Sequence, residues 1–284
     1  MVLKSFNPSY WQIAPLTLVL MLFLLFPVIT IIIVSFWDYN AYQLIPDFIF
    51  ENYEFLLTSS VTLKAYLNTF FYAISTWAIT LVIGFTIAYY LAFYIKSPLL
   101  QAILFILCTV PFLTSNIIRM ISWIPLLGRN GLINSSLEGI GLINSPIEWL
   151  LYSDFSVILA FVHLYTLFMV VPIFNAMMRI DRNLIEASID AGASPLQTLF
   201  QVVVPLTKSG IAIGSIFIIT LVMGDFITVR LMSGGLSASV GVLIHNEISL
   251  LQYPAAAAGA VVLLATVLIM LTVLFRFINI KQEL

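Results

Sequence analysis

The chain is predicted to be an all-α, polytopic membrane protein with six transmembrane helices, and three observations carry that prediction. Of its 284 residues, 62% are hydrophobic and 8% are charged, too few charges to wet the surface of a soluble domain of this size. The apolar segments run well past the roughly ten residues of a membrane barrel strand, and in lipid only helices and closed barrels satisfy the backbone. There are six such segments, about 13–36, 68–95, 99–124, 156–178, 208–232 and 255–278, each near the ~20 residues that cross ~30 Å of hydrocarbon.

The first segment follows Lys4 and is longer than the apolar core of a signal peptide. No small-residue cleavage site follows it, so it reads as a retained anchor. Pro27, Pro111 and Pro172 fall inside spans, where proline is tolerated and predicts kinks. The 125–155 segment mixes Gly128, Gly131, Asn134, Gly139, Gly141, Asn144 and Pro146 with Leu132, Ile133, Leu137, Ile140, Leu142 and Ile143. That mixture predicts a short interfacial helix between turns. Cys108 is the single cysteine, so no intrachain disulfide framework exists; a small hydrophobe buried in an apolar run is its plain reading. No repeat of 20–50 residues is visible, and residues 1–284 read as one transmembrane domain. A net charge of −2 argues against a nucleic-acid partner.

Orientation follows from lysine and arginine. With the N-terminus inside, Lys4, Lys96, Arg179, Arg182, Lys208, Arg276 and Lys281 lie on the cytoplasmic side, against Lys64 and Arg129 outside. The positive-inside bias therefore predicts two cytoplasmic termini. The outer loops carry Asp38, Asp47, Glu51, Glu54, Glu138, Glu148, Asp154 and Glu247.

The polar loop 183–205 is built to fold. Asn183 with Glu186 three residues later makes a capping box that starts a helix near Leu184, and Gly192 suits the left-handed position that ends it. Ser194 then caps a second helix with Pro195 first and Gln197 third, and Pro205 is expected to stop it. Ile185 and Ile189 share one face of the first helix, Glu186 and Asp190 another; the like-charge pair costs a few tenths of a kcal/mol that a basic partner would relieve. By chemistry alone this is either a docking surface or a solvated helical hairpin lying on the membrane.

The spacing Glu186-Ala187-Ser188-x₃-Gly192-x₉-Val202-x-Val204-Pro205 resembles the EAA loop of permease subunits in binding-protein-dependent ABC importers. Ser188 stands where the family has Ala, and Val202 and Val204 replace Ile and Leu, with the spacing intact. Weaker matches extend the resemblance toward spermidine/putrescine-type permeases: Arg119-Met120-Ile121-Ser122-Trp123, Gly224-Asp225-Phe226-Ile227-Thr228 with Ser233-Gly234-Gly235, and Tyr253-Pro254-Ala255-Ala256-Ala257. Relatives of that subfamily carry other organic ions, aminophosphonates or ferric ion.

The resemblance implies the type I ABC importer permease fold, in a bacterial inner membrane. It assigns ATPase coupling to Glu186, Ala187, Ser188, Asp190, Gly192 and Pro205. It also implies a second, homologous permease subunit, two copies of a cytoplasmic ATPase that binds the ATP and magnesium, and an extracytoplasmic solute-binding protein. No G-x-x-x-x-G-K-[ST] phosphate loop occurs in the chain, so hydrolysis falls to the partner and no cofactor is expected here. A stand-alone carrier would be expected to show inverted repeats or several intramembrane acid–base groups, and neither is evident.

Arg119, Asp225 and Arg230 fall within spans, where an unpaired charge costs ~3 kcal/mol or more. Arg119 and Asp225 come to similar depth, and a structural ion pair between them is one reading. In the other, Asp225 faces the translocation path as a gate or cation site, with Trp123, Phe226 and Tyr165 adding cation–π contacts. His163 is alone in its span and reads as a hydrogen-bonded core histidine. His245 and Glu247, placed in an outer loop, do not make a metal site. No nucleophile–base constellation supports catalysis.

Overall fold

Apolar composition makes the helices, and proline and inward-facing polar side chains decide where they start and break. The computed structural model describes residues 9–40 and 43–277. Four helical segments are long and apolar enough to cross a membrane: Ile13–Val34, Ser60–Tyr94, Glu148–Met177 and Tyr253–Arg276. Counting each of two bent pairs as one span raises the number to as many as six: Pro98–Leu113 with Asn116–Gly139 at 93° and Pro195–Leu206 with Lys208–Gly224 at 69°. The chain divides into two compact units, residues 1–62 with 243–265, and residues 63–242 with 266–284.

In the first unit, helices Ser9–Leu20 and Phe26–Val34 are joined by a wide π turn over Met21–Leu25. The turn ends two residues before Pro27, which has no N–H to give the helical ladder. The helix end is stitched to the segment 35–53. The Ser35 hydroxyl donates to Ile32 O at 2.6 Å and shares a hydrogen bond with Tyr53 Oη at 2.6 Å, while Asn52 Nδ2 donates to Ser35 O and Trp37 O. Those partners take up carbonyls that a helix C-terminus leaves free. Phe36, Phe48, Phe50 and Tyr53 cluster beside a two-stranded antiparallel pair, Asp38–Tyr39 with Leu44–Ile45.

His245 and Glu247, expected in a loop, lie on the helix Val240–Ser249, which is too short and too polar at its end to read as a span. It closes with Gln252 N–H donating to Glu247 O and Leu251 at φ +61°. One Glu247 carboxyl oxygen is buried without a partner, and burial pushes this carboxyl above its ordinary range.

In the second unit, the long helix starts at Ser60, eight residues before the expected 68. Its first turns carry Ser60, Thr62 and Lys64, so hydropathy passes over them; Thr62 is buried, whereas Ser60 and Lys64 are exposed. Farther along, the polar side chains bond to protein. Thr69 Oγ1 accepts from Val240 N–H at 3.0 Å, and Asn68 Nδ2 donates to Ala238 O at 3.0 Å.

The span expected as one helix over 99–124 is broken. Helix Pro98–Thr109 passes through a 3₁₀ turn, Val110–Leu113, and the chain restarts as Asn116–Ile121, Ile124–Leu127 and Leu132–Gly139. Pro111 produces a break here rather than a kink, because Thr114 turns extended at ψ 152°. The last of these helices is the short one expected within 125–155. Buried Asn134 pins it, donating to Gly128 O and Ile147 O and accepting from Ile147 N–H at 2.8 Å.

Helix Asp154–Met177, capped by a Ser153–Ser156 box, runs unbroken through Pro172. It packs closely on Lys208–Gly224, because Gly210 and Gly214 bring the two backbones together. A Cβ at Gly210 would lie 2.5 Å from Pro172 O, and one at Gly214 2.6 Å from Met169 Sδ. The span expected as one helix over 208–232 ends at Gly224. Asp225 is extended at φ −86°, ψ 115°, and the helix resumes over Ile227–Met232. The last span, Tyr253–Phe277, starts two residues before the expected 255.

Candidate functional site

The loop forms a helical hairpin from local capping chemistry. Its first helix is Arg182–Asp190, and the cap is Asp181, whose carboxylate accepts from Asn183 N–H at 3.0 Å, rather than the expected Asn183. Aspartate at 181 outcompetes Asn183 because it begins the helix two residues earlier, in extended geometry. Gly192 sits at φ +86°. Ala193 N–H donates to Ser188 O at 3.0 Å and Gly192 N–H to Ile189 O at 2.9 Å, the two bonds of a Schellman ending. Ser194 and Gln197 then form the expected capping box, and Pro195 opens the second helix.

Pro205 does not stop that helix. A π turn over Leu199–Val203 absorbs its missing donor, as before Pro27, and the helix continues to Leu206. The bend comes at Thr207, whose hydroxyl donates to Val203 O at 2.9 Å. Ser188 and Thr198 share a hydroxyl–hydroxyl bond at 2.8 Å, locking the two helices together. Arg182 Nη2 reaches Ala92 O at 3.4 Å, tying the hairpin to the end of the Ser60–Tyr94 segment. Glu186, Ala187 and Asp190 are exposed, as are the apolar Leu184, Ile189, Leu196 and Phe200. An apolar surface mixed with two carboxylates is the composition of a docking face.

The second candidate region lies in the apolar spans. Unwinding at Gly224 turns the Asp225 side chain into a cap: it accepts from Thr228 N–H at 2.9 Å, Thr228 Oγ1–H at 2.6 Å and Tyr165 Oη–H at 2.7 Å. The expected Arg119–Asp225 ion pair is not formed. Among the described residues the ion pair is the exposed Arg129–Glu148, at 3.7 Å. Arg119, 7% exposed, donates to Asn116 Oδ1, lies 5.4 Å over the Phe112 ring, and keeps its Nε unpartnered. Neutral donors thus satisfy the acid, while the base meets a neutral acceptor and a ring with its Nε left over, so neither charge pairs with the other.

Of the aromatic residues expected around Asp225, Tyr165 bonds it and Phe226 follows it in the unwound segment. Trp123 goes elsewhere: its indole N–H donates to His163 Nδ1 at 3.0 Å. His163 is exposed rather than in the core, and that bond fixes Nδ1 as its acceptor nitrogen. Three contributors escaped the sequence reading. Thr228 follows Asp225 at the spacing of a capping pair, a readable signal. Gly210 and Gly214 form a small-x₃-small motif, also readable. Phe168, whose ring centroid lies 6.2 Å from Tyr165, 5.7 Å from Phe217 and 4.9 Å from Phe112, gave no signal, because only the tertiary structure gathers those rings.

Residues 80–281 match the family described as binding-protein-dependent transport system inner membrane component. The spermidine/putrescine transport system permease protein PotB of Escherichia coli strain K12 is 31% identical over 93% of this chain and 97% of its own. PotB of Haemophilus influenzae is 30% identical over 91% of this chain and 97% of its own. Among solved structures, a chain of the bacterial alginate ABC transporter in complex with alginate pentasaccharide-bound periplasmic protein superposes with a TM-score of 0.74 at 16% identity, covering 94% of this chain and 92% of that one. The fold is that of a type I ABC importer permease. The relatives are transporter subunits rather than enzymes, and this permease works with a solute-binding protein and ABC machinery in the inner membrane. The chain therefore belongs to the family of inner membrane components of binding-protein-dependent transport systems.

Proposed function

We propose that this chain is a permease subunit that imports a polyamine of the spermidine or putrescine kind. It pairs with a second, homologous permease and with two copies of a cytoplasmic ATPase, which binds ATP and magnesium. An extracytoplasmic binding protein delivers the substrate, and both termini are cytoplasmic. The observation that carries the coupling half of this reading is the hairpin, a rigid, doubly capped element that presents Glu186 and Asp190 beside exposed Leu184 and Ile189. The carboxylates and apolar side chains suit a cleft in the ATPase, and the Arg182–Ala92 bond and the short Thr207 link carry displacement of the hairpin into the spans. ATP-driven closure then biases an inward–outward equilibrium, which requires only that one state bind the closed ATPase better.

The substrate half rests on PotB relatives covering more than nine-tenths of the chain, together with Asp225. A half-buried carboxylate among Tyr165, Phe226 and Thr228 offers an ammonium both charge and an aromatic wall. Gate or path roles for Arg119 and Trp123 fit the same reading, Arg119 as the positive counterweight on the opposite element.

Reconstitution tests both halves. Proteoliposomes holding this chain, its partner permease and the ATPase should take up spermidine only with ATP and the loaded binding protein, and the ATPase should co-purify in mild detergent. Uptake by this chain alone would refute the subunit reading. ATP-dependent uptake that spermidine and putrescine fail to compete with would refute the substrate.

A further inference from the structure

Below Asp225, one face of the Asp154–Met177 helix meets one face of Lys208–Gly224 along a groove of about 660 Å³. The first helix contributes Val171, Asn175 and Arg179, and the second Ser209, Ile213 and Phe217. Tyr165 and Phe168 continue the stripe upward: residues 165, 168, 171/172, 175 and 179 recur at helical spacing and share a face. On the facing helix Ile213, Phe217, Thr220 and Gly224 are exposed at the same periodicity, leading to Asp225.

Polarity along the groove is uneven in a way that lipid contact does not require. Polar groups stand at both ends: Asp225, Thr228 and Tyr165 at one, Asn175, Ser209 and Arg179 at the other. Between them stand two rings, Phe168 and Phe217, with centroids 5.7 Å apart. Phe168 is also where the broken segment enters, since Phe112 of the 3₁₀ turn meets it edge-on at 4.9 Å. A short apolar constriction between wet ends excludes water and ions while the rings touch.

We infer that this groove is the inner half of the translocation path and that the Phe168–Phe217 pair is its gate. The inference rests on the permease reading above. Phe217 rides on the helix that the 69° bend at Thr207 joins to the hairpin, so movement of the hairpin shifts Phe217 relative to Phe168. The passing solute is an organic cation with an apolar backbone: its ammonium exchanges Asp225 for the ring faces, and then for Asn175 and Ser209.

The test uses the full complex in proteoliposomes, with Cys108→Ala as parent and a single cysteine at Ile213→Cys or, on the facing helix, Val171→Cys. The probe is 2-sulfonatoethyl methanethiosulfonate, a charged thiol reagent excluded from lipid. Labelling should fall about tenfold between the resting and the vanadate-trapped complex, as for a site whose accessible state loses its dominance. In the same parent, Phe217→Ala should pass spermidine without ATP. Labelling that is absent in both states, or equal in both, overturns the path. ATP-dependent uptake by the parent is measured in the same vesicles. Normal uptake with state-independent labelling defeats this inference alone, whereas a parent without binding-protein-dependent uptake defeats the permease reading instead.

Discussion

Gly192 is the position where the coupling role can be put to a quantitative test. Its φ of +86° lies in the left-handed region, and a Cβ added there meets nothing within 4 Å. A substitution therefore causes no clash, and its cost is conformational only. For an ordinary L-residue that cost is roughly 1–2 kcal/mol, less for asparagine and more for a β-branched side chain. The bonds at stake are Gly192 N–H to Ile189 O and Ala193 N–H to Ser188 O, which turn the chain so that Ser188 meets Thr198. A penalty of that size lowers the ratio of competent to open hairpin by about 5–30-fold, and apparent affinity for the ATPase should fall by up to that factor. Binding-protein-stimulated ATP hydrolysis, titrated against ATPase concentration in reconstituted complexes, should rank Gly192 above Gly192→Asn, then Gly192→Ala, then Gly192→Val, with all four chains present in the membrane. A Gly192→Val complex that matches wild type would refute the coupling role. An asparagine variant as poor as valine would refute the left-handed-turn argument.

Three further outcomes follow from the geometry. Asp225→Asn keeps one acceptor for Thr228 N–H but removes the charge that Tyr165 and Thr228 serve; hydrogen bonds to a charged group are worth ~1.5–3 kcal/mol, so spermidine uptake should drop roughly 10–100-fold with membrane abundance unchanged. Unchanged uptake would remove Asp225 from the path, and loss of the protein would make it structural. Gly210→Ala puts a methyl group 2.5 Å from Pro172 O and should sharply reduce folded protein, whereas Gly224→Ala, open within 4 Å, should not; fluorescence-detected size exclusion reads both, and equal yields would refute backbone-close packing. For Glu247, burial holds the folded carboxyl above the ordinary 4.5, so its contribution to stability is fully present below that pH and is lost as pH rises through the raised value. Glu247→Gln should therefore raise thermal stability at neutral pH and change little near pH 4, and a scan showing the same shift at both would refute the assignment.

The hairpin was legible almost residue by residue, because caps are local: Gly192, Ser194, Pro195 and Gln197 each act within four positions of themselves. Only the competition between Asp181 and Asn183, and the tolerance of Pro205, went otherwise. The spans were legible as apolar length, but not their interruptions. Pro111 and Gly224-Asp225 mark breaks in the structure, yet hydropathy averages over both. The start at Ser60 was hidden for the converse reason, since Ser60, Thr62 and Lys64 lower the hydropathy of turns that are helical all the same.

Composition and short spacing were thus enough to show that the chain lives in a bilayer as apolar helices and that one polar loop folds into a capped hairpin. Both rest on solvation and on hydrogen bonds between near neighbours. Tertiary structure alone decided that Asp225 answers to Tyr165, sixty residues earlier, and not to Arg119. It also decided which helix Gly210 and Gly214 meet, and that Phe112, Phe168 and Phe217 converge. Partners that far apart in sequence are chosen by how helices cross and where they unwind, and no local pattern carries that choice.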